Sequence, residues 1–233
     1  MKMKKRTSVI LFALISLCFS PAAAKTVILD FSSGLGSNFT FLSNPSGKFT
    51  LDDSGGDLNI QSVDPLNMPG GRYWGGYVES KFELVGNFDI QVQYTVNMSA
   101  ADFYGVQVQL NCYDVYLVRS HQNNITGNNT YHVWDGAVRN PVVTTDLSGA
   151  FRFVRIGSDL TGYYYGGSSW IPLYTETGFG ANPVKFAVMA QPNTIVGYNQ
   201  KHVDVTFDNF TITADELRGY QTQALRLPLI IKP

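Results

Sequence analysis

The sequence predicts an all-β protein built as a two-sheet antiparallel sandwich, and three observations carry that expectation. Apolar and polar residues alternate with a period of two along most of the chain. Turns rich in glycine, asparagine and proline recur between the alternating runs. No segment before Ala214 keeps an apolar stripe at helical spacing. About fourteen short strands without crossover helices favour two stacked sheets over one small barrel, because a single sheet that large curls or splits.

Residues 1–24 stand apart from that pattern. Met1-Lys2-Met3-Lys4-Lys5-Arg6 is basic, Val9 to Phe19 is apolar, and Pro21-Ala22-Ala23-Ala24 supplies the small-residue end of a secretory signal peptide. Cleavage is expected near Ala24, followed by secretion. The apolar run falls short of the roughly 20 residues that span a bilayer, so no transmembrane segment is expected. Cys18 follows Leu17, which is bulkier than lipoprotein cleavage sites usually accept. Residues 25–213 are then expected to form one domain and residues 214–233 a tail. Within the tail, Asp215 to Gln223 has the polarity for one helical turn, and the apolar end from Leu225 docks on the body or frays.

Inside the domain, strands are expected at 26–31, 38–42, 48–52 and 57–61, with Asp53-Ser54-Gly55-Gly56 as a turn. The run 77–84 comes next, with Val78, Phe82 and Leu84 on its apolar face and Glu79, Lys81 and Glu83 on its polar one. The clearest alternation is 87–97, where Phe88, Ile90, Val92, Tyr94 and Val96 face one way and Asp89, Gln91, Gln93 and Thr95 the other. In 103–110, Tyr104, Val106, Val108 and Leu110 turn inward, leaving Gln107 and Gln109 outward. Strands follow at 113–119, 130–135, 150–156, 159–165, 169–174, 184–191 and 202–213, separated by Asp135-Gly136, Gly166-Gly167 and Asn182-Pro183.

Charge narrows the function. The leader holds Lys2, Lys4, Lys5 and Arg6, which leaves 13 of the 17 Lys and Arg against 18 Asp and Glu, a net −5. A mildly acidic surface offers no phosphate-tracking patch, so nucleic acid is an unexpected partner. Beyond the leader the one cysteine is Cys112, so neither an intrachain disulfide nor a cysteine zinc site is expected. His121, His132 and His202 lack metal-ligand spacing to one another. Five Asn-x-Ser/Thr matches, at Asn38, Asn97, Asn124, Asn128 and Asn209, are read as chance in an Asn/Thr-rich β chain.

An ordered set of segments is similar to a known superfamily. It runs from Asp30-Phe31 through Gly86-Asn87-Phe88-Asp89-Ile90-Gln91-Val92, Gly149-Ala150-Phe151-Arg152-Phe153-Val154-Arg155-Ile156-Gly157 and Gly162-Tyr163-Tyr164-Tyr165-Gly166-Gly167-Ser168-Ser169-Trp170 to Val205-Thr206-Phe207-Asp208-Asn209-Phe210-Thr211-Ile212. Over most of residues 25–213 the chain resembles the concanavalin A-like lectin/glucanase superfamily, in particular its bacterial extracellular laminin G-like jelly rolls. The resemblance implies two stacked sheets, one concave, whose concave face holds carbohydrate in many relatives. It also implies a structural Ca²⁺ between Asp208 and the segment around Asp30, a metal that favours oxygen ligands. Glucanases of the superfamily carry Glu-x-Asp-x-Glu. The nearest match here is Glu79-Ser80-Lys81-Phe82-Glu83, with a lysine at the centre and its acids about 13 Å apart on a strand, too far for a catalytic pair.

Sugar rings stack on aromatic faces, so the tryptophans are the candidate contacts. Trp170 is expected in the core. Tyr73 and Trp74 sit in the glycine-flanked loop Gly71-Arg72-Tyr73-Trp74-Gly75-Gly76. In 130–135, inward Tyr131 and Val133 leave His132 and Trp134 on the polar face, which Gln107 and Gln109 share. The expected function is a secreted, non-catalytic carbohydrate-binding module. The alternatives are a structural or adhesive surface module without a small ligand, and a polysaccharide-cleaving glycosidase or lyase whose carboxylates meet only in the folded protein.

Overall fold

The computed structural model describes residues 24–63, 74–97, 104–111, 114–121, 128–192 and 203–222. Residues 1–23 of the expected leader, Tyr73, Cys112 and the apolar end from Leu225 lie outside the described residues. Fifteen strands are found: β1 (Lys25–Leu29), β2 (Phe39–Asn44), β3 (Phe49–Asp52), β4 (Leu58–Ser62), β5 (Gly75–Ser80), β6 (Glu83–Val96), β7 (Tyr104–Leu110), β8 (Val115–Ser120), β9 (Thr130–Trp134), β10 (Val138–Val143), β11 (Ser148–Ile156), β12 (Asp159–Tyr165), β13 (Trp170–Glu176), β14 (Phe186–Pro192) and β15 (Asp204–Arg218). No helix occurs among the described residues. Every strand pair is antiparallel.

Two sheets result. The first is eight-stranded and runs β13-β12-β11-β6-β15-β4-β3, with β1 also on β15. The second is seven-stranded and runs β10-β9-β8-β7-β14-β5-β2. The last strand is central to its sheet: β15 pairs along one side with β6, and along the other with β4 and then β1. Period two decides the packing. Phe88, Ile90, Val92, Tyr94 and Val96 of β6, with Val106, Val108 and Leu110 of β7, are all buried between the sheets. Phe39, Phe82, Phe186 and Tyr220 meet edge-on at one end of this core, with ring centroids 5.1–6.0 Å apart.

Three expectations change. The run 77–84 is not one strand, because β5 stops at Ser80 and β6 begins at Glu83 in the other sheet. The buried Ser80 hydroxyl turns the corner: it donates to the Phe82 carbonyl at 2.9 Å and accepts from the Phe186 amide at 3.1 Å. Glu79 and Glu83 therefore belong to different sheets. Next, β15 runs on to Arg218, so Asp215–Arg218 is strand rather than a helical turn. Ala214 and Leu217 are buried in it, which carries the body past the expected boundary at 213. Finally, an extra strand, β10, follows the Asp135-Gly136 turn. Its Arg-Asn-Pro centre carries no alternation, which hides it from a pattern search.

Candidate functional site

The face of the seven-stranded sheet turned away from its partner carries three cross-strand rows. Met189, Gln107, Val118 and His132 are register neighbours in one, Ala187, Gln109, Tyr116 and Trp134 in the next, and Gln191, Gly105, Ser120 and Thr130 in the third. The expected strand phase holds: Tyr131 and Val133 are core residues, while His132 and Trp134 share a face with Gln107 and Gln109. Sequence reasoning missed Tyr116. Val115, Tyr116, Leu117 and Val118 are all apolar, so no alternation marks Tyr116 as outward, and the register alone sets it opposite Trp134.

The polar groups here are not open side chains. Gln107, Gln109 and His132 are 4 %, 2 % and 4 % exposed. They bond to one another and to their neighbours. Gln109 Nε2 donates to Gln107 Oε1 at 2.7 Å and lies 3.0 Å from the Met189 sulfur, and Gln107 Nε2 donates to Gln191 Oε1. Thr130 Oγ1 lies 3.1 Å from His132 Nδ1 and 3.3 Å from Ser120 Oγ. Burial pushes the His132 imidazole down to about 4, so it is neutral at physiological pH. These three residues form a rigid bed, in contrast to the open contacts expected of them.

The aromatic groups differ. Trp134 is half-buried and stacks on Tyr116, with centroids 6.0 Å apart and planes 15° apart. Beyond it, Arg139 bonds Asp135 at 2.7 Å across the β9–β10 turn. Trp74 is half-buried immediately before β5, outside the three rows, so it does not join the set. Trp170 is a correction. It lies half-buried on the outer face of the eight-stranded sheet, edge-on to Tyr165 at 5.5 Å and with the Arg152 guanidinium 5.8 Å over its ring, rather than between the sheets.

The expected calcium ligands do not fit one site. Both Asp208 oxygens accept from Asn209, at 2.6 Å from its amide and 3.0 Å from its side chain. Asp30 Oδ1 accepts from the Ser32 amide and hydroxyl at 3.1 and 3.0 Å. The two carboxylates line different cavities, Asp30 one of about 440 Å³ and Asp208 one of about 910 Å³. No group of three or more His, Cys, Asp or Glu placed to hold a metal occurs among the described residues. Calcium needs six to eight oxygens, and these two acids are already engaged separately.

With this geometry in place, comparison with known proteins is informative about the fold. No protein-family model matches the chain, and no curated protein does. Solved structures do. The CBM2 module of the evolved Dit of Lactobacillus casei BL23 phage J-1 superposes with a TM-score of 0.58 at 14 % identity, over 85 % of this chain and 99 % of that one. A functionally unknown protein from Saccharomyces cerevisiae gives 0.53 at 13 %, over 76 % and 97 %. The exoplasmic/lumenal domain of VIP36, in its Ca²⁺/Man3GlcNAc-bound form, gives 0.51 at 9 %, over 85 % and 90 %. The fold is a two-sheet antiparallel jelly roll. At these identities the likeness extends to the architecture alone, and the jelly roll's function rests on its own residues.

Proposed function

We infer that this jelly roll is an exported carbohydrate-binding module whose contact surface is the outer face of the seven-stranded sheet. The observation that carries this is the stacked Tyr116–Trp134 pair beside a prearranged amide and imidazole bed. An indole has few rotatable bonds to fix, so it offers a large apolar face at low entropic cost. Sugar C–H faces stack on such rings. The Gln109–Gln107–Gln191 ladder and His132 hold the neighbouring strands in place beneath the bound ring, acting as supports rather than as the first contacts. The carbohydrate-bound VIP36 domain, similar in fold, supports the reading. So does the leader anatomy of residues 1–24, which would carry the module out of the cell.

A glycan array probed with the domain beginning at Lys25, repeated with Trp134→Ala, tests the reading. Binding by the parent and its loss in the variant is the expected result. A parent that binds no glycan removes the proposal and leaves the structural or adhesive module. Amino-terminal sequencing of secreted protein should begin near Lys25, and recovery of the protein with intact Met1 from the cytoplasmic fraction would overturn the export reading.

A further inference from the structure

A separate cleft lies elsewhere in the molecule. A cleft of about 910 Å³ opens beside the start of β11, where Ser148, Gly149 and Ala150 line it. That volume falls within the roughly 300–1,000 Å³ of small-molecule sites. Two core tyrosines from opposite sheets reach its wall. Tyr94 Oη donates to Tyr131 Oη at 2.9 Å, and Tyr131 Oη donates to Asp146 Oδ2 at 3.3 Å. Tyr131 stacks on Tyr164 with centroids 4.7 Å apart, while Tyr165 and Ile171 present exposed apolar surface at the rim. Gly149 makes room for the buried hydroxyl pair against the backbone. A Cβ at that position would lie 2.8 Å from both tyrosine oxygens, closer than side chains pack.

The charges select the ligand class. Asp57, Asp146 and Asp208 line the cleft, and no Lys or Arg does, which disfavours an anion. Behind the wall, the buried Arg119 donates from Nε to the Asp146 carbonyl at 2.9 Å, and its positive charge acts on Tyr131. That guanidinium places a positive charge at the Asp146 end of the cleft, which disfavours a cation there. What remains is a set of acceptors and hydroxyls beside aromatic and apolar faces. We propose that this cleft binds a neutral polyhydroxylated ligand, the end of a saccharide chain, with Asp146 bonding its hydroxyls, the buried Tyr94–Tyr131 pair holding that carboxylate in place, and the Tyr165–Ile171 rim covering its C–H face. The proposal stands on the cleft's own geometry and does not require the Tyr116–Trp134 surface to bind anything.

The test uses the Trp134→Ala protein, so that the outer face is disabled. It is titrated calorimetrically with maltotriose, cellotriose and mannotriose, and with spermidine as the cationic comparison. At least one trisaccharide should bind. Adding Gly149→Ala or Asp146→Ala should weaken that binding at least tenfold, with circular dichroism unchanged. If Gly149→Ala does not fold, Asp146→Ala and Tyr165→Ala decide the matter alone. The proposal falls if no trisaccharide binds the Trp134→Ala protein, if binding survives the cleft substitutions, or if spermidine displaces the sugar. Binding by the parent that Trp134→Ala abolishes would leave the outer-face reading standing while this one fails. Binding kept by Trp134→Ala and lost on cleft substitution would do the reverse.

Discussion

Tyr94 of β6 and Tyr131 of β9 share a hydrogen bond of 2.9 Å that joins the two sheets at the inner wall of the cleft. Both rings are buried, and burial raises the Tyr131 phenol above its ordinary range. Removing the Tyr94 hydroxyl takes from the buried Tyr131 oxygen the hydrogen bond it accepts, while Tyr131 still donates to Asp146. Tyr94→Phe should therefore cost about 1–2 kcal/mol, read as a lower urea midpoint at unchanged slope. Tyr131→Phe also strips Asp146 of its donor and should cost more.

His132 makes stability depend on pH. Its folded value of about 4 lies below the unfolded value near 6.5. Between those values the unfolded chain binds more protons than the native one, so stability falls as pH drops from 6.5 and levels off below 4. The gap corresponds to roughly 3 kcal/mol. Thermal melts of the parent should show this loss, and His132→Gln should remove most of the slope. Equal slopes in the two proteins would count against a buried neutral imidazole.

Trp134 should be separable from the fold. Half-buried and stacked on Tyr116, its loss as Trp134→Ala should cost about 1 kcal/mol from the lost ring contact. Full burial would cost about 3–5 kcal/mol through the cavity left. A melt measured beside the glycan array distinguishes a surface platform from a core ring.

Arg155 is a structural cation. Its guanidinium is 1 % exposed, lies 4.6 Å over the Phe88 ring and donates to the carbonyls of Gly86 and Asn182. Arg155→Met keeps the volume but orphans both carbonyls. It should lower stability by roughly 2–3 kcal/mol in chemical denaturation, with glycan binding unchanged.

In the Asp30→Asn/Asp208→Asn double variant, EDTA should change the melting temperature by the same amount as in the parent. Asp30 and Asp208 are held by Ser32 and Asn209 and line separate cavities. A metal bound to the native state alone would add RT ln(1 + [L]/Kd), about 2.7 kcal/mol at a hundredfold excess. An equal drop in both proteins on EDTA, reversed by Ca²⁺, would show ligands other than this pair.

Much of the architecture was legible because burial imposes a period of two on any strand with one covered face. The phases of β6, β7 and β9 followed from that rule, and with them the grouping of Gln107, Gln109, His132 and Trp134. The rule is silent where a chain changes sheets. Val78, Phe82 and Leu84 all point inward, so the corner at Ser80 left the alternation intact and two strands looked like one. Alternation also separates two faces without measuring how open the outer one is, which is why the glutamines and His132 looked accessible. The tyrosine-walled cleft was invisible for another reason: Tyr94, Tyr131, Asp146 and Gly149 come from β6, β9, the segment before β11 and β11, and their meeting depends on the stacking of the sheets.

The central place of β15 has a consequence for how the molecule is made. The strands on either side of it, β6 on one and β1 and β4 on the other, have no direct pairing that replaces it. A growing chain that has not yet reached Asp204 cannot close the eight-stranded sheet, however long its amino-terminal part has been available. Lys25 finds its register with Ala214 at nearly the full span of the domain, and Asn38 clasps the backbone of Gln221 from both sides, at 2.9 and 2.8 Å. Contacts so distant in sequence make closure slow. Assembly of the eight-stranded sheet is thus held until the last strand arrives, so the sheet closes only once the chain is made through Arg218.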